Sequence, residues 1–156
     1  GMILIPNPDR TSYWLITQHR TNFDFRVSRI VDGGIDSTAV FELDTITRPG
    51  FEAAHFAYND TTGQIAVAPK SSNRNVWILN FNDITGQLQF IDVIRNTGFS
   101  DDQNESIYDV EWSSSGQFLY ISRYGGSTEN GNLYQYDFMD TTETLVPIVE
   151  NGFFRS

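Results

Sequence analysis

An all-β fold of repeated four-stranded units is what this sequence predicts, and three observations carry the prediction. The 156-residue chain repeats itself at a spacing of about fifty residues. Each repeat holds short runs of β-branched and aromatic residues divided by polar turns, and such runs favour strands. No amphipathic stretch is long enough to sustain a helix. A period near fifty with several short strands per unit marks the β-propeller blade. The chain is therefore predicted to be an incomplete ring of about three four-stranded antiparallel blades, over residues 2–43, 52–94 and 106–149.

The second strand of each unit is the clearest. Ser12 to Thr17, Gln64 to Ala68 and Gln117 to Ser122 align so that Trp14, Ile65 and Phe118 stand 51 and 53 residues apart. Third strands are expected at Phe25 to Ile30, Val76 to Phe81 and Leu133 to Phe138. A polar turn opening with Asp follows each: Asp32-Gly33-Gly34, Asp83-Ile84-Thr85-Gly86 and Asp140-Thr141-Thr142-Glu143. Gly, Asp and Thr supply turn dihedrals or side-chain hydrogen bonds there. Outer strands are expected at Thr38 to Leu43, Leu88 to Ile94 and Thr144 to Val149, and inner strands at Met2 to Pro6, Ala54 to Tyr58 and Tyr108 to Trp112. Glu52 to Tyr58 alone could pass for a helical turn, but its alignment with the alternating Asp109 to Trp112 run favours strand.

Hydrophobic residues make up 39% of the chain and charged residues 19%, enough for one well-filled core and a single domain. Net charge is −10 and Lys70 is the one lysine, which argues against nucleic acid because phosphate contacts need clustered cations. No apolar run reaches the length of a membrane span, so no membrane insertion is expected. The absence of cysteine excludes disulfides and thiolate chemistry. Gly1 ahead of Met2 is what cleavage of a purification tag leaves, and three blades are too few to close a ring. Further blades, or a second copy, are expected to complete it. Self-association through the open blades into a homodimer competes with capping of one flank by Phe153 and Phe154.

Chemistry-bearing residues are few. His19 falls in a loop and His55 on an inner strand, where a packed or channel-facing histidine is the plain reading. Ser113-Ser114-Ser115-Gly116 reads as a hairpin turn rather than a nucleophile elbow. Asp101-Asp102-Gln103-Asn104-Glu105 gathers hard oxygens, making Asp101, Asp102 and Glu105 a calcium candidate, although the spacing is not that of an EF-hand and a solvated acidic loop is the plainer reading. No cofactor and no catalytic residue is expected.

Loops joining second to third strands share one face of a blade with the loops between blades. Arg20, Arg48, Lys70, Arg74 and Arg123 fall in those loops, with Tyr124 able to add contact area. Together with His55 and Asp109 of the inner strands they form the candidate ligand-binding set. Asp9, Asp32, Asp60, Asp83, Asp140 and Glu143 occupy the opposite turns, expected to be solvated.

Tyr13-Trp14-Leu15-Ile16-Thr17-Gln18-His19 and the run from Trp112 to Ser122 resemble the propeller segment of large, gliding-motility-associated-like surface proteins of Bacteroidetes. Their pattern is a Tyr-Trp-hydrophobic-hydrophobic-Thr-His stretch ahead of Phe-Ser-Pro-Asp-Gly-Lys-x-Leu-Tyr repeats. Here Trp112-Ser113-Ser114-Ser115-Gly116 replaces the Phe-Ser-Pro-Asp-Gly form, and Gln18 is extra. More distantly the repeat is similar to WD40-like and lactonase-like propellers. The first resemblance implies a non-enzymatic protein- or glycan-binding or scaffold module, secreted or at the cell surface. The rival implied by the last is a sugar-lactonase-like hydrolase, with His55, Glu52, Asp109 or Glu111 around a central channel and a metal.

Overall fold

The computed structural model describes residues 1–19, 24–42, 54–69, 75–95, 106–124, 132–140 and 145–149. Among them the chain forms twelve strands and no helix. The first blade comprises β1 (Met2–Pro6), β2 (Tyr13–Gln18), β3 (Phe25–Val31) and β4 (Gly34–Phe41). The middle blade comprises β5 (Ala54–Asn59), β6 (Gln64–Pro69), β7 (Val76–Asn82) and β8 (Gln87–Ile94). The third comprises β9 (Ser106–Trp112), β10 (Phe118–Tyr124), β11 (Asn132–Asp137) and β12 (Leu145–Val149). Each is a four-stranded antiparallel sheet in sequence order. The inner strand β5 lies beside β1 on one side and β9 on the other.

Alternation along the strands builds two cores between three sheets, because successive side chains leave a strand on opposite faces. The back of the first blade (Ile5, Trp14, Ile16, Phe25) meets the front of the middle blade (Ile65, Val67, Trp77, Leu79). The next residues along the same middle strands, Ala66, Ala68, Val76 and Ile78, turn the other way onto Val110, Trp112, Leu119 and Ile121 of the third blade. The middle blade is thus buried on both faces. Each large side chain withdrawn from water here contributes about 1.5–3 kcal/mol.

The turns on the reverse face reuse one device. In Asn59 to Gly63, the Asn59 Oδ1 accepts from the amides of Thr61 (2.9 Å) and Thr62 (3.3 Å), and Gly63 donates to the Asn59 carbonyl at 2.9 Å. Asn82 to Gly86 repeats it, with Ile84 and Thr85 donating at 3.0 Å each and Gly86 at 2.7 Å. Both turns close through a left-handed residue, φ 71° at Gly63 and 73° at Gly86, where glycine carries no Cβ penalty.

Two expectations change. Trp14, Ile65 and Phe118 are not equivalent: Trp14 faces the middle blade, whereas Ile65 faces the first. The pairs Pro6–Tyr13, Tyr58–Ile65 and Trp112–Leu119 each enclose a six-residue turn, so Tyr13, Ile65 and Leu119 hold the matching places. A slip of one residue flips the face a side chain presents. The first outer strand also begins at Gly34 rather than Thr38, because Asp32-Gly33 makes a two-residue hairpin that pairs Val31 with Gly34.

Candidate functional site

The junction of the middle and third blades brings two of the candidate residues together at the inner edge. His55 on β5 places its Nδ1 3.4 Å from the Asp109 Oδ1 on β9, both side chains well exposed. The His55 ring stacks on Tyr108, with centroids 5.8 Å apart and planes at 27°. Tyr108 reaches this position through a bulge: Ile107 pairs with Arg123 and Asp109 with Ser122, leaving Tyr108 as the extra residue. Such an insertion re-aims a side chain. The Asp109 Oδ1 also accepts from the Val110 amide at 2.9 Å, and the Glu111 Oε1 accepts from the Trp112 amide at 3.3 Å. Both carboxylates are held against their own strand, in an arrangement that offers an aromatic platform beside fixed acceptors. At such exposure the His55–Asp109 contact contributes little to stability.

Arg123 is not in a loop. The same bulge carries pairing onward to Tyr124–Ser106, so Arg123 and Tyr124 both belong to β10. The Arg123 side chain is buried on the face turned to the middle blade, where it donates through Nη1 to the Tyr134 hydroxyl at 3.2 Å. Its guanidinium carbon lies 5.7 Å from the centroid of the Tyr134 ring, a cation–π distance. Asn132 Nδ2 donates to the same hydroxyl at 3.3 Å. Arg20, Arg48, Lys70 and Arg74 lie outside the described residues, as do the calcium candidates Asp101, Asp102 and Glu105, and Glu52. Among the described residues no three His, Asp or Glu side chains gather as a metal site.

The acidic turns of the reverse face are partly engaged rather than wholly solvated. The Trp14 indole Nε1 donates to the Asp83 carbonyl at 2.6 Å, fastening the first blade to a turn of the middle one. The Tyr58 phenol is pushed up to about 12, first by burial, then by the charges of Asp83 and Asp60 and a hydrogen bond to the Asp83 side chain. The Asp9 carboxyl is held below the usual carboxylate range by hydrogen bonds from Thr11. Neither Tyr108 nor the Asp83 lock was singled out from sequence, since a bulge and an inter-blade contact leave no local pattern.

No protein-family model matches the sequence. No curated protein sequence matches it either. Among solved structures, the chain is similar to the β-propeller domain of Myceliophteria thermophila Cps50 (Swd1), with a TM-score of 0.57 at 13% identity, over 97% of this chain and 44% of that one. It also aligns with an uncharacterized Listeria monocytogenes protein at a TM-score of 0.46 and 21% identity, over 97% of this chain and 41% of that one. The chain spans less than half the length of either structure. With three four-stranded sheets packed about a line of inner strands, the fold is that of β-propeller blades.

Proposed function

We propose that the chain is a recognition module, part of a propeller that binds a protein partner at the inner edge between the middle and third blades. The observation that carries this reading is the exposed stack of His55 on Tyr108 beside Asp109. A partner's guanidinium would lie flat on an aromatic ring and pair with an adjacent carboxylate, two preferences that lysine and neutral groups satisfy less well. The chain's net charge of −10 favours the approach of such a cationic segment. Placement in a larger protein exported to the cell surface is supported by the resemblance of the Tyr13 to His19 and Trp112 to Ser122 runs.

Binding of fluorescent Arg-containing peptides, with neutral and sialylated glycans as comparison ligands, tests the reading. Peptides are expected to bind in a salt-sensitive way, with Tyr108→Ala and Asp109→Asn each weakening them about tenfold, or 1.4 kcal/mol. Glycan binding alone, or peptide binding indifferent to both variants, would overturn it. A second reading, a channel-centred hydrolase of the sugar-lactonase type, draws support from the same His55–Asp109 contact, since a carboxylate beside an imidazole orients a general base. Lactone hydrolysis abolished by His55→Ala would favour that reading over recognition.

A further inference from the structure

The meeting place of His55, Tyr108 and Asp109 has both of its walls inside the chain. β5 and β9 lie side by side, and His55, paired with Ala68, leaves β5 on the side turned toward the third blade. There the imidazole stacks on the Tyr108 ring at 5.8 Å, with its Nδ1 3.4 Å from the Asp109 Oδ1. An aromatic face and a carboxylate are the two contacts assigned above to a partner's guanidinium. An imidazolium satisfies the same two, because a cation within about 6 Å of a ring centroid is drawn to its face and a nearby carboxylate favours the charged ring. Histidine is also the side chain whose charge ordinarily changes between about pH 5 and 8.

The carboxylate that His55 meets is held in place. The Asp109 Oδ1 accepts from the Val110 amide at 2.9 Å, and the Ser122 Oγ donates to the Asp109 carbonyl at 3.2 Å. The other ionisable groups on the surrounding elements are few. β1 and β6 carry no ionisable side chain. The amino group of Gly1 adds a positive charge, with Gly1 lying against the Ala54 carbonyl. On β5 itself Tyr58 turns the other way, toward the first blade, and its phenol is pushed up to about 12. β9 adds Glu111, whose Oε1 accepts from the Trp112 amide, and β10 adds Arg123, buried with its guanidinium by Tyr134. His55 is thus the histidine of this junction, and His19, the other of the chain's two, follows β2 of the first blade.

Resting on the recognition reading above, we propose that protonation of His55 releases the partner, so that the site binds in neutral and not in acidic surroundings. Uncharged, the imidazole is part of the platform beside a free carboxylate charge. Charged, it competes with the guest from within: it neutralises Asp109, occupies one face of Tyr108 and repels an incoming guanidinium. The coupling is reciprocal. A guest that prefers the uncharged ring must expel a proton when it binds the charged form.

The probe is a fluorescent peptide with capped ends and a single Arg among uncharged residues, so that its own charge stays constant. Its anisotropy is titrated at fixed ionic strength between about pH 8 and pH 5. The wild type is expected to bind about tenfold more weakly at the acidic end, the size of one like charge brought near the guest. His55→Gln should flatten the response, whatever its affinity, and His19→Gln should keep it. His55 is 44% exposed, so its replacement leaves the fold intact, which circular dichroism at both ends of the range checks. Calorimetry of the wild type at about pH 6, in two buffers of different ionisation enthalpy, should show protons released on binding and none released by His55→Gln. A pH response that persists in His55→Gln would overturn the proposal, as would tighter binding in acid or binding without proton release. Equal wild-type affinity across the range would overturn it while leaving recognition standing. No binding at any pH would overturn both.

Discussion

The two inter-blade junctions are built from opposite choices of size. Between the first and middle blades, Trp14, Phe25, Trp77 and Phe81 interlock with Phe56, Tyr58 and Phe90. Edge-on ring contacts join Trp14 and Tyr58 to Phe81, each at 6.3 Å. Between the middle and third blades, the middle blade contributes Ala57, Ala66 and Ala68 beside Val76, Ile78 and Ile94, with no aromatic ring, and the aromatic bulk comes from Trp112 and Tyr136 opposite. Each junction nonetheless carries one tryptophan bonded to a main-chain carbonyl across the gap: Trp14 to Asp83 at 2.6 Å and Trp112 to Ala57 at 3.2 Å. A single sheet can therefore present two different faces, because strict alternation lets a strand such as β6 or β7 send one set of residues to one neighbour and another set to the other.

The largest expected effect on this contrast is truncation of a junction tryptophan. Trp77→Ala and Trp112→Ala should each cost about 3–5 kcal/mol, read as a fall in the urea midpoint. A midpoint left unchanged by Trp112→Ala would mean that the indole does not fill the second junction. Next comes overpacking of the small side. Ala66→Leu, at a fully buried site facing the third blade, should cost about 1–3 kcal/mol. If the second junction had slack, the same change would be neutral or stabilising.

Much of this architecture was legible in the sequence, for a physical reason. Strands such as Val76 to Phe81 announce themselves because β-branched and aromatic residues bounded by turn residues have few other ways to pack. Facing was harder to read. Trp14 and Ile65 look interchangeable in a fifty-residue repeat, yet they point at each other's blades, because the aligned turns differ by one residue in where the paired ends fall. The candidate site was legible only as separate residues. His55 and Asp109 were placed on inner strands, but their meeting depends on how two blades pack. Arg123 reads as a loop residue in the sequence, because the bulge at Tyr108 of β9, which carries pairing on past Ser122, leaves no sequence signature.

A smaller effect distinguishes the first junction by its pH response. Burial pushes the Tyr58 phenol up to about 12 in the folded state, above the ordinary tyrosine value of 10.0, so the protonated phenol favours the folded state. Its contribution is complete below pH 10 and is lost as pH rises from there through about 12. Denaturation midpoints of the wild type and Tyr58→Phe should differ in that window by a wild-type loss that the variant lacks. Parallel alkaline curves would detach Tyr58 from Asp83. Smallest of all is relief of a turn. Arg10 sits at φ 56°, where the third blade's equivalent turn has Gly116 at φ 74°. Arg10→Gly should be neutral to stabilising, by at most about 1 kcal/mol, measured as a thermal midpoint. A clear loss would show that the Arg10 side chain has a structural partner.

The claim on which the rest depends is that one blade is sandwiched between two others, and amide hydrogen exchange followed by mass spectrometry reads it strand by strand. Protection scales with how much structure must open to expose an amide. The slowest exchange is expected in β6 and β7 of the middle blade, whose residues Ile65 to Ala68 and Val76 to Leu79 are buried throughout. The fastest strand exchange is expected in β4, exposed at every position before Phe41. Equal protection of β4 and β7, or slowest exchange in the first blade, would contradict the sandwich and with it the propeller arrangement of the three sheets.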